Sequence, residues 1–178
     1  MVARIDDDHL AAGDDIAIAV EVGDALHDIT REHQQLHVAR HFRAEAAFCA
    51  LFTGCAVESS SWHGTRVSSL IAALTNNAEG LAGTGWNTLI LPVRVLGKCG
   101  GTDSDIITGM RWAAGITVPG APINPTPAQI INLSLGSTSP SEIERDAMVD
   151  AFERGTLSIC AAGNDSGPVA YPASYDIA

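Results

Sequence analysis

The residue with the clearest chemical potential is His63, which precedes Gly64 in the string SSSWHGTRVSSLIAA. Apolar side chains recur behind it at i, i+3, i+4 and i+7, a spacing that predicts a helix with one buried face: Val67, Leu70, Ile71 and Leu74. The histidine therefore lies at the N-terminus of this predicted helix, outside the core. An imidazole in that position is available for general acid or base chemistry.

The elements that must position this histidine alternate between strand and helix from Asp15 onward. Runs of β-branched and apolar residues predict strands at 17–22, 88–96, 129–135 and 156–161. A helix over 104–114 has Ser104 as its expected N-cap, and its expected buried face is formed by Ile106, Ile107, Met110, Ala113 and Ala114.

A further helix is bounded by Ser139 as N-cap, Pro140 and Glu142 in the first turn, and Gly155 as the stop. The resulting βαβαβ order predicts an α/β fold with a parallel sheet and right-handed crossovers. Functional residues of such sheets gather at the carboxyl ends of the strands.

Two strand ends carry distinctive residues. Strand 129–135 leads into Ser134, Leu135 and Gly136, and strand 156–161 leads into Gly163 and Asn164. Together with the H-G-T string at 63–65, the S-L-G and A-A-G-N strings occur in an order that resembles the subtilisin-like serine proteases. The resemblance implies a three-layer doubly wound sandwich with a mostly parallel sheet, incomplete at the C-terminus, so that residues 1–178 form a partial peptidase domain.

The resemblance also implies roles for particular residues. His63 would act as general base, and Asn164 would donate to the oxyanion. The string AIAVEVG places Glu21 where the family has the triad aspartate, one methylene longer; a solvated glutamate, or Asp24 or Asp28 in its place, are the alternatives.

The resemblance also implies which residues contact the substrate, and the sequence departs from the family pattern at one position near His63. Ser134 to Gly136 would pair with the substrate backbone, and the loop with Gly100 and Gly101 would line a subsite. Arg66 stands where the family usually has a second histidine, and a cation on the same helical face disfavours the imidazolium.

No G-T-S-M-A nucleophile segment occurs in the sequence, and Ser134, Ser166 and Ser174 lack its small-residue context. We therefore expect a serine-type endopeptidase by family, represented by a truncated chain that is inactive alone. The alternatives are a non-catalytic peptide-binding remnant that uses the 134–136 edge, and an unrelated doubly wound ligand-binding domain.

The net charge of −11 argues against nucleic acid or an anionic membrane as partner and leaves a peptide or protein substrate. No apolar run reaches the roughly 18 residues of a membrane-spanning helix. The acidic start leaves no room for a secretory signal, so we expect a cytosolic chain or a piece of a longer protein. The family resemblance implies an extracellular protease.

Four cysteines show no metal or redox spacing, which leaves buried thiols or, by the family resemblance, a disulfide between Cys55 and Cys99. No cofactor is expected to be required. Residues 76–80 offer oxygen atoms that calcium could use, with too few identifiable ligands for an assignment. A zinc site at His33, His37 and His41 and a phosphate loop at 97–102 are both disfavoured, the first against a solvated polar face.

Overall fold

The computed structural model describes residues 63–73, 75–78, 80–85, 88, 90–96 and 100–177. Several sequence predictions lie outside these residues: the strand at 17–22, the acids Glu21, Asp24 and Asp28, the three-histidine face at 33–41, and the disulfide between Cys55 and Cys99.

The described elements alternate as predicted and are, in chain order, α1 (His63–Ala72), α2 (Asp103–Ala113), β1 (Ile130–Leu133), α3 (Glu142–Glu153) and β2 (Leu157–Cys160). The two strands are neighbours and run parallel, with Leu133 opposite Cys160 at their carboxyl ends. Helix α3 connects them, so the predicted parallel βαβ unit and the α/β class are confirmed.

One face of this sheet is covered by the helices. Ile131 and Leu133 are fully buried in a cluster with side chains from α2 and α3, including Ile107, Met110, Ala147, Met148 and Ala151. Alternate residues of β2 face the other way, and Leu157 and Ile159 remain 43% and 49% exposed. The predicted buried face of α2 is confirmed, because all five of its residues belong to this cluster.

Both predicted N-caps are wrong by two residues. Helix α2 is capped by Thr102, whose side chain accepts from the Asp105 amide, and α3 is capped by Ser141, whose side chain accepts from the Glu144 amide. Both caps have extended backbone dihedral angles, which is the conformation an N-cap needs. Gly155 ends α3 with a φ of 85°, as predicted.

The strand predicted at 88–96 is not part of the described sheet, which has two strands. A strand requires a neighbour that completes its hydrogen-bond ladder, and the apolar pattern alone does not supply one. Val93 and Val95 are nevertheless buried. They pack against Gly109 of α2, where an added Cβ would lie 2.4 Å from Cγ1 of Val95.

Helix α1 begins at His63, as predicted, but its buried face differs from the prediction. Leu70 is 60% exposed, whereas Val67 and Ile71 are half-buried, and Leu74 lies outside the described residues. The amides of Gly83 and Gly85 donate to the carbonyl oxygens of Ala73 and Ile71 at 2.9 and 2.8 Å. Within the described part of the chain, no helix has the length and apolar character needed to cross a membrane.

Candidate functional site

His63, the first residue of α1, lies against the end of β1. Its Nε2 is 3.0 Å from the carbonyl oxygen of Ser134, in a half-buried setting. Because a carbonyl oxygen only accepts hydrogen bonds, Nε2 must carry the proton in this arrangement. The structure therefore brings together two sequence-predicted site residues that are 71 positions apart.

The parallel ladder explains why the Ser134 carbonyl is available. The carbonyl oxygens of Gln129 and Leu133 accept from the amides of Leu157 and Ala161 on the β2 side. Successive carbonyls along a strand point to opposite sides, so that of Ser134 is directed away from β2. It is this outward group that meets His63.

The segment after β1 is also held by a distant part of the chain. The amide of Ser137 donates to the Tyr171 carbonyl at 2.8 Å, and the amide of Tyr171 donates to the Ser137 carbonyl at 2.9 Å. This antiparallel bridge fixes the predicted substrate edge, Ser134 to Gly136, between β1 and residue 171.

The loop after β2 lies beside this edge. The Ala170 amide donates to the Ala162 carbonyl at 3.0 Å. A Cβ placed on Gly136 would lie 3.2 Å from the Cβ of Ala170, and one placed on Gly163 would lie 3.4 Å from the same atom. Both strand-end segments thus pack against Ala170, and Asn164 is exposed directly after Gly163.

Two tyrosines to which the sequence pattern assigned no role, Tyr171 and Tyr175, hold this part of the structure together. Tyr175 Oη accepts from the Ser141 amide at 2.7 Å and lies 2.9 Å from the Ser141 carbonyl and 3.1 Å from Oε2 of Glu144. The rings of Tyr171 and Tyr175 are 4.9 Å apart. The start of α3 is therefore tied to the segment that bridges to Ser137. The Y-P-A-S-Y string at 171–175 was the sequence feature that could have indicated this segment.

Burial raises the pKa of Glu144, the hydrogen bond from Tyr175 lowers it, and the nearby Asp103 carboxylate raises it further. Tyr175 has a single hydroxyl proton for two acceptors, the Ser141 carbonyl and Glu144. A protonated Glu144 can instead donate to Tyr175 Oη, which resolves that competition.

The described nucleophile candidates have other partners or surroundings. Ser134 Oγ accepts from Nδ2 of Asn132 at 2.8 Å, and the hydroxyl of Ser174 donates to the Val169 carbonyl. Ser166 is exposed with a φ of 54°. Cys160 forms no disulfide, and burial raises the pKa of its thiol to about 11, so the reactive thiolate is scarce at neutral pH.

Gly100 and Gly101 lie just ahead of α2. Gly100 has a φ of 100°, and a Cβ on Gly101 would lie 2.4 Å from the carbonyl oxygen of Val95. The structure shows that this part of the chain is tightly packed, and the contact of Gly100 and Gly101 with a substrate stays a prediction.

Arg66 is exposed on α1. Its predicted effect on the imidazolium form of His63 also stays a prediction.

Among the described residues, no group of three or more histidine, cysteine or acidic side chains is placed to hold a metal ion. The candidate calcium segment at 76–80 has positive φ angles at Asn76, Ala78 and Gly80. Calcium binding there stays a prediction.

The sequence of this chain is similar to those of known proteases. The profile of the subtilase family matches residues 52–178. An extracellular protease of Xanthomonas campestris pv. campestris is 50% identical over 117 residues, which cover 65% of this chain and 20% of that protein. An extracellular basic protease of Dichelobacter nodosus is 47% identical over 108 residues, which cover 60% of this chain and 18% of that protein.

Structural similarity points the same way. A solved protease structure from Pseudoalteromonas arctica matches with a TM-score of 0.59 and 51% identity, over 61% of this chain and 32% of that chain. The chain thus spans less than a quarter of the length of the two bacterial relatives named above. Since the family profile covers well over half of its residues, the chain belongs to the subtilase family.

Proposed function

We propose that this chain carries the histidine and oxyanion part of a subtilisin-type serine endopeptidase site. The observation that carries the proposal is the contact between His63 and the end of β1, beside the edge at 134–136 and next to the loop with Gly163 and Asn164. His63 is the general base, and Glu21 is the acid that orients it. Asn164 donates to the developing oxyanion, and a peptide backbone pairs along Ser134 to Gly136.

The substrate is a peptide or protein, and the site of action is extracellular. The names of the relatives from Xanthomonas campestris and Dichelobacter nodosus, both extracellular proteases, support these two statements. The acidic net charge of −11 favours substrates that are neutral or basic near the cleavage site, because the field of the protein attracts them.

The 178 residues by themselves do not hydrolyse peptide bonds. They contain no G-T-S-M-A string, and Ser134 and Ser174 use their hydroxyls in local hydrogen bonds. In subtilisin itself, loss of the serine costs about as much rate as loss of the whole triad, and loss of the acid costs less. A Glu21→Asp variant of this chain therefore gains nothing.

The test compares the chain alone with a chimera in which it is joined to the nucleophile-bearing segment of the Xanthomonas campestris relative. The chain alone should neither react with a fluorophosphonate nor cleave casein, whereas the chimera should do both. In the chimera, His63→Ala should abolish turnover, and Asn164→Ala should lower kcat by about 10²–10³, the loss known for subtilisin. Arg66→His should raise turnover. Thr138→Ala, a change on the exposed surface, is the matched control and should leave turnover unchanged.

Either of two results would overturn the proposal: hydrolysis by the chain alone that His63→Ala abolishes, or a folded chimera whose activity is indifferent to His63. The first would mean that one of the serines in the sequence is the nucleophile. The second would leave the histidine without a catalytic role.

The second candidate is a non-catalytic peptide-binding protein that uses the same edge. The bridge between Ser137 and Tyr171 favours it, since this edge is held without any contribution from a nucleophile segment. An inactive chimera that still binds peptides would support this function over proteolysis.

A further inference from the structure

Asn132 lies two residues before Ser134, so their side chains share one face of the sheet. This is the face opposite to the buried Ile131 and Leu133. The Asn132 amide donates to Ser134 Oγ at 2.8 Å. Asn132 belongs to β1, whereas Ser134 is the first residue beyond it, so the bond ties a loop residue back to the strand.

The backbone of Ser134 carries the acceptor for His63. The strand ladder directs the Ser134 carbonyl outward, and the bond from Asn132 restrains the side chain of the same residue and ties it to β1. The strand, the Asn132 amide, Ser134 and the imidazole thus form a continuous chain of contacts across 2.8 Å and 3.0 Å.

We infer that Asn132 is a positioning residue for His63: it fixes Ser134 so that the Ser134 carbonyl holds the imidazole with its proton on Nε2. The inference builds on the proposed function, because it concerns the histidine assigned there as the base. In an acid, histidine and serine triad, Nε2 must be free of its proton to accept one from the nucleophile. The bond to Ser134 therefore defines a resting orientation, which the base has to leave before catalysis.

A purely structural role for Asn132 makes a different prediction. If its amide only stiffens the turn after β1, removing it lowers stability and leaves the imidazole untouched. The protonation state of Nε2 and the protection of its proton from solvent distinguish the two roles, and neither depends on proteolytic activity. A failure here is thus separable from a failure of the proposed endopeptidase function.

The experiment uses nitrogen-15 NMR of the full chain at about pH 8.5, where ordinary imidazoles are neutral. The His63 signals are assigned by their loss in His63→Ala. In the unmodified chain, Nε2 should carry the proton, and that proton should be protected from exchange. Asn132→Ala and Ser134→Ala should each speed its exchange about three- to tenfold, the effect of losing one hydrogen bond.

The double variant Asn132→Ala with Ser134→Ala should be no worse than either single variant, since both act through one bond. Thr138→Ala, an exposed change in the same loop, should leave the exchange rate unchanged. An unprotonated Nε2 in the unmodified chain would overturn the inference. It would equally fail if Asn132→Ala lowered the melting temperature while the Nε2 proton kept its protection.

Discussion

The two segments that follow the parallel strands differ in how firmly they are held. After β1, His63 contacts the Ser134 carbonyl, Asn132 binds its hydroxyl, and Ser137 exchanges two backbone hydrogen bonds with Tyr171. After β2, residues 161–169 are all exposed, and the backbone ties given for this loop are the Ala161 amide to the Leu133 carbonyl at its start and the Ala170 amide to the Ala162 carbonyl at its end.

The segment that is held more firmly has a proposed binding role, and the more exposed segment has a proposed catalytic role. The segment after β1 is the proposed edge for the substrate backbone, and it is already braced. The segment after β2 carries the proposed oxyanion donor, whose catalytic value depends on being fixed before the reaction begins. We therefore expect the described residues to be better organised for holding a peptide than for stabilising a transition state.

The largest expected effect comes from weakening the segment after β1 and the residues that hold it, which we call the braced side. Tyr175→Phe leaves the Ser141 amide and Glu144 without their hydroxyl partner, at a cost of about 1–3 kcal/mol in the free energy of unfolding. Urea denaturation measures this loss. Tyr171→Phe is the matched control, since its hydroxyl has no hydrogen bond with described residues, and it should change stability little. Equal losses in both variants would contradict the bracing role of Tyr175.

A smaller effect is expected in the exposed loop after β2, residues 161–169. Gly163→Ala places a side chain at a φ of 102°, a strained conformation, and the exposed loop relaxes around it at a cost of about 1 kcal/mol. Gly167→Ala is the control, because a Cβ there would meet only the Asp165 carbonyl oxygen at 4.0 Å. Urea denaturation of both variants checks the prediction, and a larger loss at Gly167 would show that backbone strain at Gly163 is not the cause.

The smallest effect is a pH dependence on the braced side. Burial raises the folded-state pKa of Glu144 above its ordinary value of 4.5. The stabilising contribution of this group is therefore present below pH 4.5 and is lost as the pH rises through the folded pKa. Glu144→Gln removes that loss, so the variant should gain stability relative to the unmodified chain as the pH rises from about 4 to about 7.

Urea denaturation at a series of pH values measures this difference. Glu142→Gln removes an exposed carboxylate from the same first turn and is the matched control for the loss of a charge. Parallel curves for Glu144→Gln and Glu142→Gln would mean that burial of the Glu144 carboxyl has no energetic consequence.

The sequence predicted most of the described elements, because periodicity reports which face of a helix or strand is buried. It did not predict the caps: several hydroxyl residues surround each helix start, and only the backbone angles select Thr102 and Ser141. It also did not predict that residues 88–96 lie outside the described sheet, since strand pairing depends on a neighbour.

For the candidate site, the contact between His63 and Ser134 spans 71 positions, and no local pattern connects them. The family resemblance assigned a role to each residue and did not predict their contact. The tie from Tyr175 to Ser141 spans 34 positions and was missed for the same reason. Asn132 was accessible in principle, because its i, i+2 relation to Ser134 in a predicted strand puts both polar side chains on one face.

The most direct test of the central claim is an NMR titration of the full chain with a short unstructured peptide, which maps where a substrate-like backbone binds. We predict that the amide signals of Ser134 to Gly136 shift first and furthest, that those of Gly163 and Asn164 shift with them, and that the exposed Leu157 and Ile159 stay unchanged. Shifts confined to Leu157 and Ile159, or no shift at millimolar peptide, would contradict a peptidase site at this edge of the sheet.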